Sequence, residues 1–131
     1  MEIRRGSVYW WNCPMHSRKH IQQGVRPVVV VSNDRCNEFS DVVTVVPFTT
    51  KARHPYPQQV AVLLDGEMSV ALCDQVTSVP VDELQRHITD LYTFQMDQID
   101  TALAIQMGFV KVDDRPYSIF HKGEEVDSGT N

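Results

Sequence analysis

The chain has 131 residues, of which 42% are hydrophobic and 22% are charged, and this composition is typical of one globular domain with its own core. No apolar run reaches the roughly 18 residues of a membrane span, and no signal peptide precedes the first strand, so we expect a cytoplasmic protein with no membrane span. Three cysteines without a CxxC pair favour reduced thiols over a disulfide scaffold.

The charge is distributed unevenly between the two halves of the chain. Residues 1–53 contain eight Lys or Arg and four Asp or Glu, a net charge of +4, whereas the remainder contains four basic and 13 acidic residues, a net charge of −9. A total of −5 argues against a protein that binds nucleic acid over its whole surface. The basic half is consistent either with one local anion-binding face or with an ordinary solvated surface.

The first half of the chain carries the short β-branched and aromatic runs of a sheet. Strands are predicted at 7–11, 28–31, 42–46, 60–64 and 69–73. Residues 28–31 are valine throughout, which is typical of a strand buried on both faces, and Pro27 is expected at its start because proline donates no ladder hydrogen bond. Two polar loops, at 12–25 and 51–57, interrupt these strands.

Helical signals follow residue 79. Pro80 with the acidic residues at 82 and 83 predicts the first turn of a helix. A longer helix is predicted from Thr93, as N-cap, to Met107, with Gly108 after its end. Its apolar positions 96, 99, 103 and 107 share one face and are expected in the core. The predicted fold is mainly β, a small curled antiparallel sheet with a carboxy-terminal helix packed against it.

Several kinds of active site find little support in the sequence. Cys13, His16 and His20 have the spacing of metal ligands, but a fourth ligand is missing nearby and two basic residues lie between the histidines, so we expect no metal site. Cys73 follows an apolar strand, where a thiol is normally a small buried side chain and no nucleophile. No glycine-rich phosphate loop is present, and no cofactor is expected.

Polar side chains stand where the predicted strands end. Arg26 precedes the valine strand, Thr49 and Thr50 follow the next one, and Asp74 with Gln75 follows another. An arginine and a hydroxyl together suit phosphoryl chemistry, because the guanidinium binds a phosphate through two hydrogen bonds and the hydroxyl donates a third. Spacing alone equally allows a structural Arg26–Asp74 ion pair and threonines that cap a turn.

Several motifs keep the order and spacing of one protein family: RGSVYW at 5–10, GVRPVVVVSND at 24–34, VPFTTK at 46–51, SVALCDQV at 69–76 and IDTAL at 99–103. Through them, about residues 3–110 resemble the MazF/PemK/Kid family of toxin endoribonucleases. The resemblance implies an SH3-like barrel, a homodimer, metal-free cleavage of single-stranded RNA and inhibition by a cognate antitoxin protein. Residues 111–131 are a carboxy-terminal extension without a counterpart in typical members.

The resemblance also assigns site residues. The essential arginine and hydroxyl of the family fall on Arg26 and Thr49, and Asp74 is the candidate for the base or for the group that orients Arg26, with His54 as a substitute. The 2′-hydroxyl would attack the phosphate to leave a 2′,3′-cyclic phosphate and a 5′-hydroxyl. The residues expected to bind RNA are Asn33, Thr50, Gln75, Arg18, Lys19 and Lys51.

Two other functions stay open for this barrel. Members of the wider superfamily bind DNA gyrase as poisons without catalysing a reaction, and a degenerate barrel would only bind an antitoxin. Incubation with bulk messenger RNA separates both alternatives from a ribonuclease, because only the ribonuclease produces fragments.

Overall fold

The strands and helices follow one another in an order that starts with β-structure and ends with a helix. The computed structural model describes residues 2–13, 24–51 and 57–111. Within these ranges the elements are β1 Ser7–Cys13, β2 Gly24–Val30, α1 Asp34–Phe39, β3 Val42–Thr49, β4 Gln59–Leu64, β5 Glu67–Leu72, β6 Thr77–Pro80, β7 Leu84–Asp90 and α2 Thr93–Gln106, with single 3₁₀ turns at Cys73–Gln75 and Val81–Glu83.

All strand pairs are antiparallel, and the sheet curls around its middle strands. The order is β4-β5-β3-β2-β1-β7, and β6 pairs with β3 beside this path. Strands β6 and β7 are consecutive in the chain but pair with opposite sides of the β3-β2-β1 centre. The sheet therefore bends into a half-barrel, and the prediction of a mainly β, curled antiparallel fold with a carboxy-terminal helix is confirmed.

The middle strand β2 buries side chains on both faces. Val28 and Val30 belong to the cluster inside the half-barrel, together with Trp11 and Val45. Val29 belongs to the cluster on the outer face, which α2 covers. All three valines of β2 are fully buried, so the prediction of a strand enclosed on both sides is confirmed.

Strand β3 changes its partner along its length. Val45 lies opposite Thr77 of β6, whereas Phe48 lies opposite Ala71 of β5. Pro47 stands between these two stretches, where the strand passes from one neighbour to the other and a missing N–H costs least. Because of this change of partner, β3 connects the β4–β5 hairpin to the strands β2, β1 and β7.

Proline Pro27 lies inside β2, opposite Trp10, and the prediction that it begins the strand is wrong. Strand β2 starts three residues earlier, at Gly24, because the pairing with β1 extends to Cys13. The ladder between β2 and β3 begins only at Val28, so the absent N–H of Pro27 removes no bond from that ladder.

The predicted helix at Pro80 is wrong, because Pro80 ends strand β6. A single 3₁₀ turn follows, and β7 then pairs with β1 along its length. The proline and acidic residues therefore precede or form only a single 3₁₀ turn. The next seven residues, Leu84–Asp90, are extended because they pair with β1. The short helix α1 was missed, since six residues are too few to show a helical period.

Helix α2 is confirmed, with small shifts at its ends. It begins at Thr93, and the N-cap is Tyr92, whose backbone N–H donates to the Gln95 side chain at 2.8 Å, in place of the predicted Thr93. It ends one residue earlier than predicted, and Gly108 follows in the left-handed region at φ 81°.

The buried face of α2 is formed by Met96, Ile99 and Ala102, with Leu103 partly buried beside them. The prediction that Met107 also lies in the core is wrong, since it is 57% exposed. The helix has already left the sheet at that point. Within the described ranges, no helix combines the length and the apolar character that a membrane crossing requires.

Candidate active site

The central strands bring Arg26 and Thr49 to the same end of the sheet. The β2–β3 ladder ends with Val28 opposite Pro47; Arg26 lies two residues before Val28, and Thr49 lies two residues after Pro47. Thr49 lies opposite Val70 of β5. Both Arg26 and Thr49 line one pocket at this end of the sheet.

A pocket of about 150 Å³ opens at this end of the sheet. It contains four of the predicted site residues, because the chain leaves β3 there and β2 begins there. The described residues that line it are Val25, Arg26, Pro27, Phe48, Thr49, Thr50, Lys51 and Ser69.

The guanidinium of Arg26 lies in a nearly dry position. The residue is 7% exposed, and burial lowers the pKa of its guanidinium below the usual value of 12.5, while Cys13 acts in the opposite direction. Arginine remains charged at neutral pH despite such a shift. A buried cation at the edge of a pocket attracts an anion more strongly than a solvated one does, because little water screens it.

The Thr49 hydroxyl is oriented by its own backbone neighbourhood. Its Oγ1 accepts a hydrogen bond from the backbone N–H of Lys51 at 3.1 Å. This bond fixes the oxygen with one lone pair, and the hydroxyl hydrogen can then be donated to an oxygen in the pocket. The residue is half-buried, so it is held in place and still reaches the opening.

Sequence reasoning assigned no role to Ser69, which lines the same pocket. It is 4% exposed, and its Oγ donates weakly to the backbone oxygen of Glu67 at 3.4 Å. Ser69 precedes Val70, which lies opposite Thr49, so the pairing of β5 with β3 brings it to this end of the sheet. A second hydroxyl residue thus lines the pocket that contains Arg26.

The remaining predicted site residues lie elsewhere or outside the described ranges. Asp74 is on the 3₁₀ turn Cys73–Gln75 and accepts a hydrogen bond from Gln59 Nε2 at 3.3 Å. Neither Asp74 nor Gln75, which is exposed, is among the residues that line the pocket. Arg18, Lys19 and His54 fall outside the described residues.

The side chain of Asn33 caps helix α1. Its Oδ1 accepts a hydrogen bond from the backbone N–H of Cys36 at 2.8 Å, and the residue is exposed. A role in RNA binding stays a prediction, and the capping bond gives the same side chain a structural role. Capping asparagines typically stabilise a protein by about 1 kcal/mol.

No cluster of three or more His, Cys, Asp or Glu side chains suited to a metal ion occurs in 2–13, 24–51 and 57–111. Cys13 is buried at the end of β1, while His16 and His20 lie outside those ranges. Cys73 is buried, and burial, followed by the nearby Asp74 and Asp100, raises the pKa of its thiol to about 12. Such a thiol is a poor nucleophile at neutral pH.

Ser7, His87 and Asp90 form a hydrogen-bonded cluster that contains the residue types of a hydrolytic triad. Ser7 Oγ donates to Asp90 Oδ1 at 2.7 Å, and His87 Nε2 lies 2.8 Å from the same oxygen. A nucleophilic serine has to give its proton to the histidine, but here both side chains bind the carboxylate. The cluster therefore links β1 to β7 and does not activate the serine.

Comparison with known proteins gives matches over most of the chain. Residues 4–107 match the family model described as PemK-like, MazF-like toxin of type II toxin–antitoxin system. The protein named Endoribonuclease MazF of Staphylococcus epidermidis is 34% identical over 118 residues, which are 85% of this chain and 96% of that protein.

Solved structures match the fold. The structure titled as an endoribonuclease in complex with its cognate antitoxin, from Mycobacterial species, has 28% identity and a TM-score of 0.68, and covers 83% of this chain and 98% of its own. A crystal structure of MazF from Deinococcus radiodurans has 22% identity and a TM-score of 0.69, covering 82% and 98%. At that identity the second match supports the fold alone.

Proposed function

The chain belongs to the family of PemK-like and MazF-like toxins of type II toxin–antitoxin systems, and we propose that its Arg26–Thr49 pocket is the active site of an endoribonuclease. The proposal depends most on one observation, the presence of a buried arginine and an oriented hydroxyl in the lining of one pocket. These are the groups that a phosphodiester needs for hydrogen bonds to its non-bridging oxygens.

In the proposed reaction, the RNA supplies the nucleophile. The 2′-oxygen forms a bond to phosphorus, and the bond from phosphorus to the 5′-oxygen breaks. One proton leaves the 2′-hydroxyl, and another reaches the departing 5′-oxygen, giving a 2′,3′-cyclic phosphate and a 5′-hydroxyl. The protein has to align these atoms and stabilise the extra negative charge on phosphorus, and we propose that it does so without a metal ion.

Arg26 is the proposed stabiliser of that charge. Its lowered pKa, caused mainly by burial, means that the fold disfavours the charged form compared with water, and an approaching phosphate would stabilise that form. Thr49 would donate its hydroxyl hydrogen to a non-bridging oxygen, and the bond from the Lys51 N–H holds the oxygen in place for this role.

We separately propose that Asp74 is the general base that removes the proton of the 2′-hydroxyl. As the base, Asp74 has to reach the 2′-hydroxyl, whereas in the free protein it accepts a bond from Gln59. A base role predicts that Asp74→Asn lowers the single-turnover cleavage rate at least about 10²-fold. A structural role instead predicts that Asp74→Asn and Gln59→Ala lower the melting temperature alike and leave cleavage unchanged.

RNA on both sides of the scissile bond would contact polar residues around the pocket. Thr50 and Lys51 line it and are proposed to bind the adjacent phosphates. Asn33, Gln75, Arg18 and Lys19 complete the proposed RNA-binding set. Residues 1–110 are proposed as the catalytic unit, so removal of residues 111–131 should leave cleavage intact.

The proposed partners are a cognate antitoxin and a second copy of the chain. The mycobacterial structural relative is bound to its antitoxin, and the +4 charge of residues 1–53 favours an acidic segment as the partner here. Messenger RNA and the antitoxin would both be met in the cytoplasm, which is the proposed compartment.

The test is cleavage of a single-stranded transcript in the presence of EDTA by the wild type and by Arg26→Ala. We expect the wild type to produce fragments with 5′-hydroxyl ends and the variant to be at least about 10²–10³-fold slower, the loss typical of one removed oxyanion donor. DNA of the same sequence should bind and stay intact, because it lacks the 2′-hydroxyl.

Three outcomes would contradict the proposal in whole or in part. Full activity of Arg26→Ala, with its melting curve unchanged, would remove the assigned mechanism. A folded wild type that binds RNA without cutting it would indicate a barrel that only binds an antitoxin or another protein. Wild-type cleavage that EDTA abolishes would replace the metal-free reaction by a metal-dependent one.

A further inference from the structure

The hairpin of β4 and β5 exposes two large apolar side chains beside the pocket. Leu63 and Met68 are a directly opposed cross-strand pair, and they are 59% and 60% exposed. The turn between them is formed by Asp65 and Gly66, both with positive φ, as a tight two-residue hairpin requires. An exposed apolar pair at a tight hairpin lowers solubility and adds nothing to the core, so it calls for a functional explanation.

The register sets this pair on the same face as Thr49. Thr49 lies opposite Val70, and Val70 lies opposite Ala61. Two residues further along the β4–β5 ladder, Met68 lies opposite Leu63. Because side chains two residues apart in a strand share a face, this second row runs parallel to the row that contains Thr49, Val70 and Ala61.

The distances fit one nucleotide. Two residues span about 6.7 Å along a strand and neighbouring strands lie about 4.8 Å apart, so the backbone position of Met68 is about 8 Å from that of Thr49. A sugar and base attached to a phosphate in the pocket extend over this range. Lys51, two residues after Thr49, lines the pocket.

The charges on the hairpin favour a nucleic acid over other occupants of this face. Glu67 is exposed, but it alternates with Met68 and so points to the opposite face of the sheet. Met68 and Leu63 present a thioether and an aliphatic side chain on this face, and Lys51 supplies a cation at the pocket. A thioether and a flat aliphatic surface pack well against an aromatic ring, and every nucleobase has such a ring.

We propose that Leu63 and Met68 form a platform on which the base next to the scissile phosphodiester packs, a role that rests on the proposed ribonuclease activity. The platform adds affinity for unstacked, single-stranded RNA. It does not read base identity, because packing against a ring face is tolerant of sequence. Identity is left to hydrogen bonds elsewhere.

The test compares Leu63→Ser/Met68→Ser with a matched control, Phe39→Ser, which removes an exposed apolar side chain on α1. The substrate is a short RNA oligonucleotide that spans one cleavage site mapped from a wild-type digest. We expect KM to rise at least about fivefold in the double variant, the lower end of the effect of losing one stacking contact, with kcat within about twofold. The control should match the wild type.

Abasic substrates connect the effect to one nucleotide. Two abasic substrates are compared, one without the base on the 5′ side of the cleavage site and one without the base on the 3′ side. One of them should have a higher KM with the wild type. The same substrate should cause no further rise in KM with the double variant. Additive effects of the abasic site and the double substitution would overturn the proposal. So would an unchanged KM in a variant that still cleaves.

Failure of the proposed function gives a different result, since the wild type would then cleave neither the oligonucleotide nor the transcript. Loss of antitoxin binding in the double variant, with an unchanged KM for RNA, would assign the pair to a protein interface and overturn the RNA platform. Melting curves of both variants control for folding, which substitutions at exposed positions rarely disturb.

Discussion

Replacing Arg26 by methionine is expected to stabilise the protein while it abolishes cleavage. Arg26 is 7% exposed, and burial is the largest cause of the lowered pKa of its guanidinium. A lowered pKa on a basic group means that the fold disfavours the charge relative to the unfolded chain. An apolar side chain of similar length removes this cost and keeps the contacts of the aliphatic stem.

The expected gain is modest. Substitutions of buried charges by well-packed apolar residues range from neutral to about 4 kcal/mol stabilising, and a single arginine at the rim of a pocket belongs to the lower part, about 1 kcal/mol. For a chain of this length that corresponds to a rise of about 3–5 °C in the melting temperature. Cleavage should fall at least about 10²-fold, since a transition-state donor is lost.

The matched control is Arg5→Met. Arg5 forms an ion pair with Asp100 of α2, and its Nε donates to the backbone oxygen of Val31 at 3.0 Å. The substitution removes this ion pair and this hydrogen bond, so the free energy of unfolding should fall by about 1–2 kcal/mol and the melting temperature should fall with it. Cleavage should be retained.

Differential scanning fluorimetry and a single-turnover cleavage assay on both variants measure the two effects. A destabilisation of Arg26→Met as large as that of Arg5→Met would refute the reasoning, because it would make Arg26 a structural cation. Opposite signs on stability and activity are the signature of a group that the fold retains for its chemistry.

Three further predictions concern the surrounding structure. Asn33→Ala should lower the free energy of unfolding by about 1 kcal/mol through the lost cap on Cys36, measured by urea denaturation; a rise in KM for RNA with stability unchanged would instead support the RNA-binding role. In the folded protein, Cys36 is exposed and should react quickly with a thiol reagent at about pH 8, whereas Cys73, buried and with a pKa of about 12, should react only on unfolding; Cys36→Ser should remove the fast phase, and its persistence would contradict the described burial. Hydrogen bonds from His87 and then Ser7 hold the pKa of Asp90 below its usual 3.8, so its contribution to stability is present above that value and is lost as the pH falls through the folded-state pKa. The gap in urea midpoint between wild type and Asp90→Asn should therefore close as the pH falls below 3.8, and a gap that stays constant would disprove the linkage.

Much of the fold was predictable because local patterns and tertiary contacts agree in the centre of the sheet. The valines of β2 are apolar on both faces and are enclosed on both faces. Helix α2 carries its own period and ends at Gly108. In contrast, the residues after Pro80 carry local helix signals, and pairing of β7 with β1 overrides them. Long-range pairing has no local signature.

The candidate site was predictable in part for the same reason. Arg26 and Thr49 were identified by the chemistry of their side chains and by resemblance, and both line the same pocket. The involvement of Ser69 depends on which strand neighbours β3, so strand order was needed to find it. Asp74 sits at the end of a strand as expected, but the 3₁₀ turn after β5 gives it a partner in Gln59.

The strand that carries Arg26 is also the one whose amides are hardest to expose. Val28, Val29 and Val30 are sealed between two apolar clusters and pair with strands on either side, so their N–H groups can exchange with solvent only when the whole domain opens. Arg26, the proposed catalytic cation, is thus anchored two residues from Val28, the first of these three valines. The backbone of β2 beside Arg26 cannot move during a turnover cycle without unfolding the protein. Any conformational change that accommodates a different RNA sequence therefore occurs in the segments around this strand.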